Sequence, residues 1–177
     1  MSKCKNLANR LKEVLLNGRW IANTNILEQL VKTSRKQALH KIGNHNSIAE
    51  LTFHINYYVG GILNVFRGGD LEIRDKYSFD MQTIETDADW QLLIQSFKEN
   101  ATLLIDKIEA YPENLWDQQF VKEAYGTYER NIEGLIEHSY YHFGQISLLL
   151  KLINERQFSV LGKFGRLDTK FDEKENE

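Results

Sequence analysis

The residue types best suited to chemistry in this chain lie in the segment Glu137-His138-Ser139-Tyr140-Tyr141-His142-Phe143-Gly144-Gln145-Ile146. Its two histidines stand four residues apart inside a helical pattern. Both imidazoles therefore leave one helix face, about 40° apart around the axis and about 6 Å apart along it, a spacing that lets them grip one metal ion. His54, on the apolar side of an earlier helix, is placed to complete a facial triad. His40 and His45, in the polar connector before that helix, compete for the third position.

Ile132, Leu135, Ile136, Phe143, Ile146, Leu149, Leu150 and Ile153 recur at helical steps and define a core-facing stripe. His138 and His142 fall at its edge, beside Leu135 and Leu149, so they face a bundle interior or its mouth. An imidazole left unpartnered there costs about 1–3 kcal/mol. A shared metal removes that cost twice over; hydrogen bonds to core neighbours are the competing solution. Metal-bound imidazoles donate their other N–H to a nearby acceptor. Gln145, one turn past His142, suits that role, and Glu50, one turn before His54, suits it too, although Glu50 is also placed to cap its helix. Tyr58, Tyr141 and Tyr57 are candidates to present hydroxyls at the pocket, with Asn131 a weaker one.

The elements that must position these groups follow from pattern and capping. Leu7, Leu11, Val14 and Leu15 mark a first amphipathic helix ending near Asn17-Gly18, where glycine suits a C-terminal cap. Trp20 begins a shorter helical or irregular stretch through Ile26, Leu27, Leu30 and Val31, and residues 33–46 read as a polar connector. Ser47-Ile48-Ala49-Glu50 is a capping box that opens the His54 helix. That helix stops at Gly68-Gly69. A long polar loop over 68–85 is of the kind that lines sites. Thr86 with Asp89 caps a helix whose stripe runs from Trp90 to Ile108 and ends before Pro112. A second loop carries Trp116, Phe120 and Tyr125, and Thr127 caps the histidine helix, which continues to about Asn154. The tryptophans and phenylalanines read as core.

With one proline and few β-branched runs in 177 residues, the fold class is all-α, a four-helix bundle with two long connections, in one domain over 1–160. Residues 161–177 read as a charged, disordered tail. Hydrophobic residues make up 42% and the net charge is −3 without a basic stripe, so nucleic acid is not an expected partner. No run approaches a membrane span and no signal-peptide core follows the first residues, so the expected location is cytoplasmic. The single cysteine, Cys4, excludes an internal disulfide and a Cys-rich zinc site, and reads as a tolerated surface thiol.

Three local features together resemble the DinB-like (DinB/YfiT) superfamily of metal-dependent proteins: Ser47-Ile48-Ala49-Glu50-Leu51 running into His54, the His138-x-x-x-His142 pair, and the Gly144-Gln145 that follows. The resemblance spans residues 5–154. It implies an up-down-down-up four-helix bundle, often a homodimer, that holds a divalent metal through His54, His138 and His142, with zinc or nickel the expected ion. It also implies chemistry on small-molecule thiols, with transfer of a low-molecular-weight thiol to an electrophile as the expected reaction. A metal-dependent hydrolase and a non-catalytic metal- or ligand-binding protein linked to stress are the alternatives.

Overall fold

The computed structural model describes residues 2–164, with side chains to Glu155. Six α-helices account for most of them: α1 (Lys3–Lys12), α2 (Ile26–Lys32), α3 (Arg35–Leu39), α4 (Ile48–Phe66), α5 (Asp87–Glu109) and α6 (Tyr128–Phe164). Among the described residues there is no β-strand; an isolated bridge joins Gln119 and Thr127. α6 runs past Asn154, the expected end of the histidine helix, and takes in residues 161–164 of the expected disordered tail 161–177; the rest of that tail lies outside the described residues.

The long helices start where capping chemistry starts them. Ser47 accepts from the Glu50 amide while the Glu50 carboxylate accepts from the Ser47 amide, and Thr86 and Asp89 repeat the arrangement at α5. At α6, Thr127 Oγ1 accepts from the Arg130 amide at 3.1 Å. Termination of α4 at Phe66 is fixed by Gly68, whose φ of +87° is in the left-handed region.

The four longer helices form a closed ring of neighbours, with α4 on α5, α5 on α1, α1 on α6 and α6 back on α4. Their stripes fill the centre with Leu11, Leu15, Ile55, Leu63, Phe97, Leu104, Ile132 and Ile146, each essentially inaccessible. Two polar ties cross this packing. Asn56 donates to Ser96 Oγ and accepts from Asn100, both at 3.0 Å, between α4 and α5. Trp90 Nε1 donates to the Thr33 carbonyl at 2.8 Å, fastening α5 to the α2–α3 junction.

Three sequence expectations change. The polar connector over 33–46 contains α3, opened by a capping box between Ser34 and Gln37. Trp20 is 86% exposed, because the chain turns outward before α2 begins at Ile26. Cys4 is buried on the inner face of α1, its Sγ donating to Glu113 Oε1 at 3.0 Å, so it is no surface thiol. The first helical segment does end at Asn17 with Gly18 as its C-cap, in extended backbone at φ −79°. The chain relaxes to a π-turn over Glu13–Asn17, and glycine is needed there because a Cβ would lie 2.3 Å from Glu13 Cα.

Candidate metal centre

α4 and α6 bring three histidines to one point. The Nε2 atoms of His54 and His138 are 3.1 Å apart and those of His142 and His138 are 3.0 Å apart. One ligand atom from each of the three lies within 4.8 Å of the others. His54 and His142 are buried and His138 is half-buried. The i,i+4 spacing on α6 puts His138 and His142 on successive turns of one face, and His54 faces them about two turns inside the capped start of α4.

The other ring nitrogens fix the protons. His54 Nδ1 lies 3.2 Å from the Ser78 carbonyl, which only accepts, so His54 carries its proton on Nδ1. His142 Nδ1 donates to Gln145 Oε1 at 2.7 Å. Burial holds all three imidazoles below their usual range, and His138, which also faces the other two rings, is pushed down to about 4. At neutral pH the three are therefore neutral, and His54 and His142 each turn a bare Nε2 lone pair toward His138 Nε2.

Such a cluster could hold a cation. A single proton on His138 Nε2 serves one of its two neighbours and leaves the other contact as opposed lone pairs. A metal ion accepts from all of them at once. Three nitrogens at zinc-like bond lengths are separated from one another by about 2.9–3.4 Å, and the two contacts in this structure, at 3.0 and 3.1 Å, fall inside that range. The donor set fits a borderline-soft divalent ion. The outer hydrogen bonds to Ser78 and Gln145 are those that orient metal-bound imidazoles.

Aromatic rings enclose the cluster. Phe79 stacks on His54 with centroids 4.1 Å apart, and Tyr58 stands edge-on to both His54 and His138 at 5.0 Å. The Tyr58 hydroxyl donates to Asp75 Oδ1 at 2.8 Å; burial, and next that carboxylate, push its pKa up to about 12. Tyr58 is therefore a fixed neutral donor.

Of the residues expected around the site, Gln145 and Tyr58 are in contact with the histidines. Tyr141 touches the outer side of His142 at 4.9 Å but is 65% exposed, so it offers a rim and not a pocket hydroxyl. Glu50 does not orient His54: its carboxylate accepts from the Ser47 amide and from Lys41 Nζ, both at 2.7 Å. His40 and His45 are exposed and stand outside the cluster. Tyr57 bonds the Arg74 backbone, and the Asn131 amide donates to the Tyr125 and Thr127 carbonyls. Ser78, Phe79 and Asp75 were not foreseen. Their only sequence signal is the length of the 68–85 connection, since a backbone carbonyl has no residue type to read. Compared with known protein families, curated proteins and solved structures, this chain finds no match.

Proposed function

We propose that this chain is a metal-dependent enzyme of the DinB-like superfamily, an up-down-down-up four-helix bundle in which His54, His138 and His142 hold one divalent ion, zinc or nickel. The observation that carries the reading is the convergence of the three ring nitrogens with the outer nitrogens of His54 and His142 already engaged. Three neutral imidazoles leave further positions on such an ion open, and an ion held so supplies Lewis acidity that favours a thiolate or hydroxide at neutral pH.

The reaction proposed is transfer of a low-molecular-weight thiol to an electrophile. A sulfur–carbon bond forms, the leaving group departs, and the thiol proton passes to solvent. The chain does not supply the sulfur, because Cys4 is buried against Glu113 on α1. Its own residues do the rest. Ser78 and Gln145 hold the imidazoles in the tautomer that bares Nε2; Phe79 covers one face of His54 while Tyr58 packs edge-on against it; and the 68–85 segment forms the side by which an electrophile enters. A homodimer in the cytoplasm completes the proposal.

Metal analysis of purified protein tests it first, with one ion per chain expected. His54→Ala, His138→Ala and His142→Ala are each expected to abolish binding, and His40→Ala and His45→Ala to leave it unchanged. Thiol-dependent consumption of a model electrophile, lost both in His138→Ala and after chelation, is the expected catalytic result. Metal binding with no acceleration across bacillithiol-, glutathione- and coenzyme-A-like thiols would refute the transfer reaction.

A further inference from the structure

A cavity of about 440 Å³ adjoins the histidines, within the size range of small-molecule sites. Tyr58 is the wall the two share, in ring contact with His54 and His138 while also lining the cavity. Ile62, Leu71, Ile73 and Phe120 supply apolar surface, and one cation, Arg74, joins them. Among the described residues the Arg74 guanidinium has no ion-pair or hydrogen-bond partner. A cation kept beside apolar walls without a counter-ion is half of a recognition site for an anion with an apolar body.

The surroundings are built, because three consecutive residues are fixed to α4. Ile73 presses on Gly61, where a Cβ would lie 2.3 Å from Ile73 Cγ1. The Arg74 amide donates to the Tyr57 hydroxyl at 2.9 Å, and that hydroxyl donates to the Arg74 carbonyl at 3.3 Å. Asp75 accepts from Tyr58. Across the cavity, Asn131 fixes the Tyr125 carbonyl at 2.7 Å, and Val121, next to Phe120, is held at φ +54°, a conformation uncommon for a β-branched residue.

We propose that this cavity binds a small carboxylate with an apolar body, its anion paired to Arg74 and its body lying along Tyr58 toward the metal centre. Asp75 also lines the cavity, but its carboxylate already accepts from Tyr58, whereas among the described residues the Arg74 guanidinium is unengaged. The proposal names the substrate class of the same site and rests on the metal reading for the reaction, although not for the binding.

Calorimetric titration with 3-phenylpropionate, 3-phenylpropanol and 3-phenylpropylamine, on zinc-loaded and on chelator-treated protein, tests it. The carboxylate is expected to bind at least about tenfold tighter than the alcohol in both states. Arg74→Gln, at an exposed position, is expected to erase that difference without changing affinity for the alcohol, and Leu71→Trp to weaken all three by filling the cavity. Tightest binding by the amine would show that Asp75 governs the site and overturn the proposal. So would equal carboxylate affinity in Arg74→Gln, or carboxylate binding that needs zinc and ignores Arg74. Zinc stoichiometry on the same samples separates the two readings: Arg74-dependent binding without zinc uptake refutes only the metal centre, and zinc uptake without Arg74-dependent binding refutes only the carboxylate site.

Discussion

Gln145→Ala is the substitution that most directly tests how the metal centre is oriented. In the structure Gln145 Oε1 accepts from His142 Nδ1 at 2.7 Å, a short bond to a side chain only 6% exposed. Removing the acceptor frees the imidazole to rotate and to place its proton on Nε2, the atom that must be bare. Loss of such an outer partner costs about 10–100-fold in metal affinity, or about 1.4–2.7 kcal/mol. Gln145→Glu keeps the geometry and substitutes an ionised acceptor, whose hydrogen bond is about twice as strong. Affinity is therefore expected to rise relative to wild type. Competition against a chromophoric chelator at pH 7.5 reads all three proteins, and thermal melting in excess chelator checks that they remain folded. If Gln145→Ala binds within about twofold of wild type while His142→Ala does not bind at all, the Nδ1 contact has no orienting role. A loss of affinity in Gln145→Glu equal to that in Gln145→Ala would refute the same reasoning from the other side.

Acid should destabilise the chelator-treated protein. The three histidines have folded-state pKa values below the unfolded value of about 6.5, so the unfolded chain binds more protons in that window. Stability is expected to be full above about pH 6.5 and to fall as pH drops toward the value near 4 of His138; urea midpoints between pH 7.5 and 4.5 measure it, and His138→Gln should flatten the slope. Gly61→Ala, despite the better helix propensity of alanine, should cost about 1–3 kcal/mol by driving a methyl into Ile73, and should make residues 68–85 more sensitive to protease. Trp90→Phe leaves the Thr33 carbonyl without its donor and should cost about 1–3 kcal/mol, a few degrees in the melting temperature.

The parts of this fold legible in the sequence are those in which residue type alone determines geometry. Ser47 with Glu50 and Thr86 with Asp89 start helices where hydroxyl and carboxylate spacing says they must, and the stripe from Trp90 to Ile108 is buried as its period requires. His54, His138 and His142 were legible as a cluster because helical spacing and an apolar face converge on them. The 34–37 capping box was present in the residues as well, but polar neighbours and the shortness of α3 obscured it. Trp20 failed because burial of an aromatic is decided by where the chain turns, and between Asn17 and α2 it turns outward with Asn23 at φ +55°. The acceptor for His54 was illegible in principle, since the Ser78 carbonyl is available at every residue and only tertiary placement selects it. Glu50 shows the converse, a side chain with the right spacing whose oxygens are drawn to its own helix start and to Lys41.

The attachment of residues 73–75 to α4, together with the Ser78 contact to His54, changes what kind of connection 68–85 is. It behaves as two short closures on either side of a fixed middle, so the entropy that a single flexible loop of that length would lose on ordering is divided between two independent spans. Residues 69 and 70 are tied to α4 as well, the Gly69 amide donating to the Asn64 carbonyl at 2.9 Å and Asn64 Nδ2 to the Asp70 carbonyl at 2.8 Å, so tolerance of insertions is expected around Gln82-Thr83. The middle has no such freedom: an added residue between Asp75 and Ser78 would move a different carbonyl opposite His54. Sequence drift in this segment should accordingly be partitioned, with the part that appears least structured by composition being the part that sets the protonation of the centre.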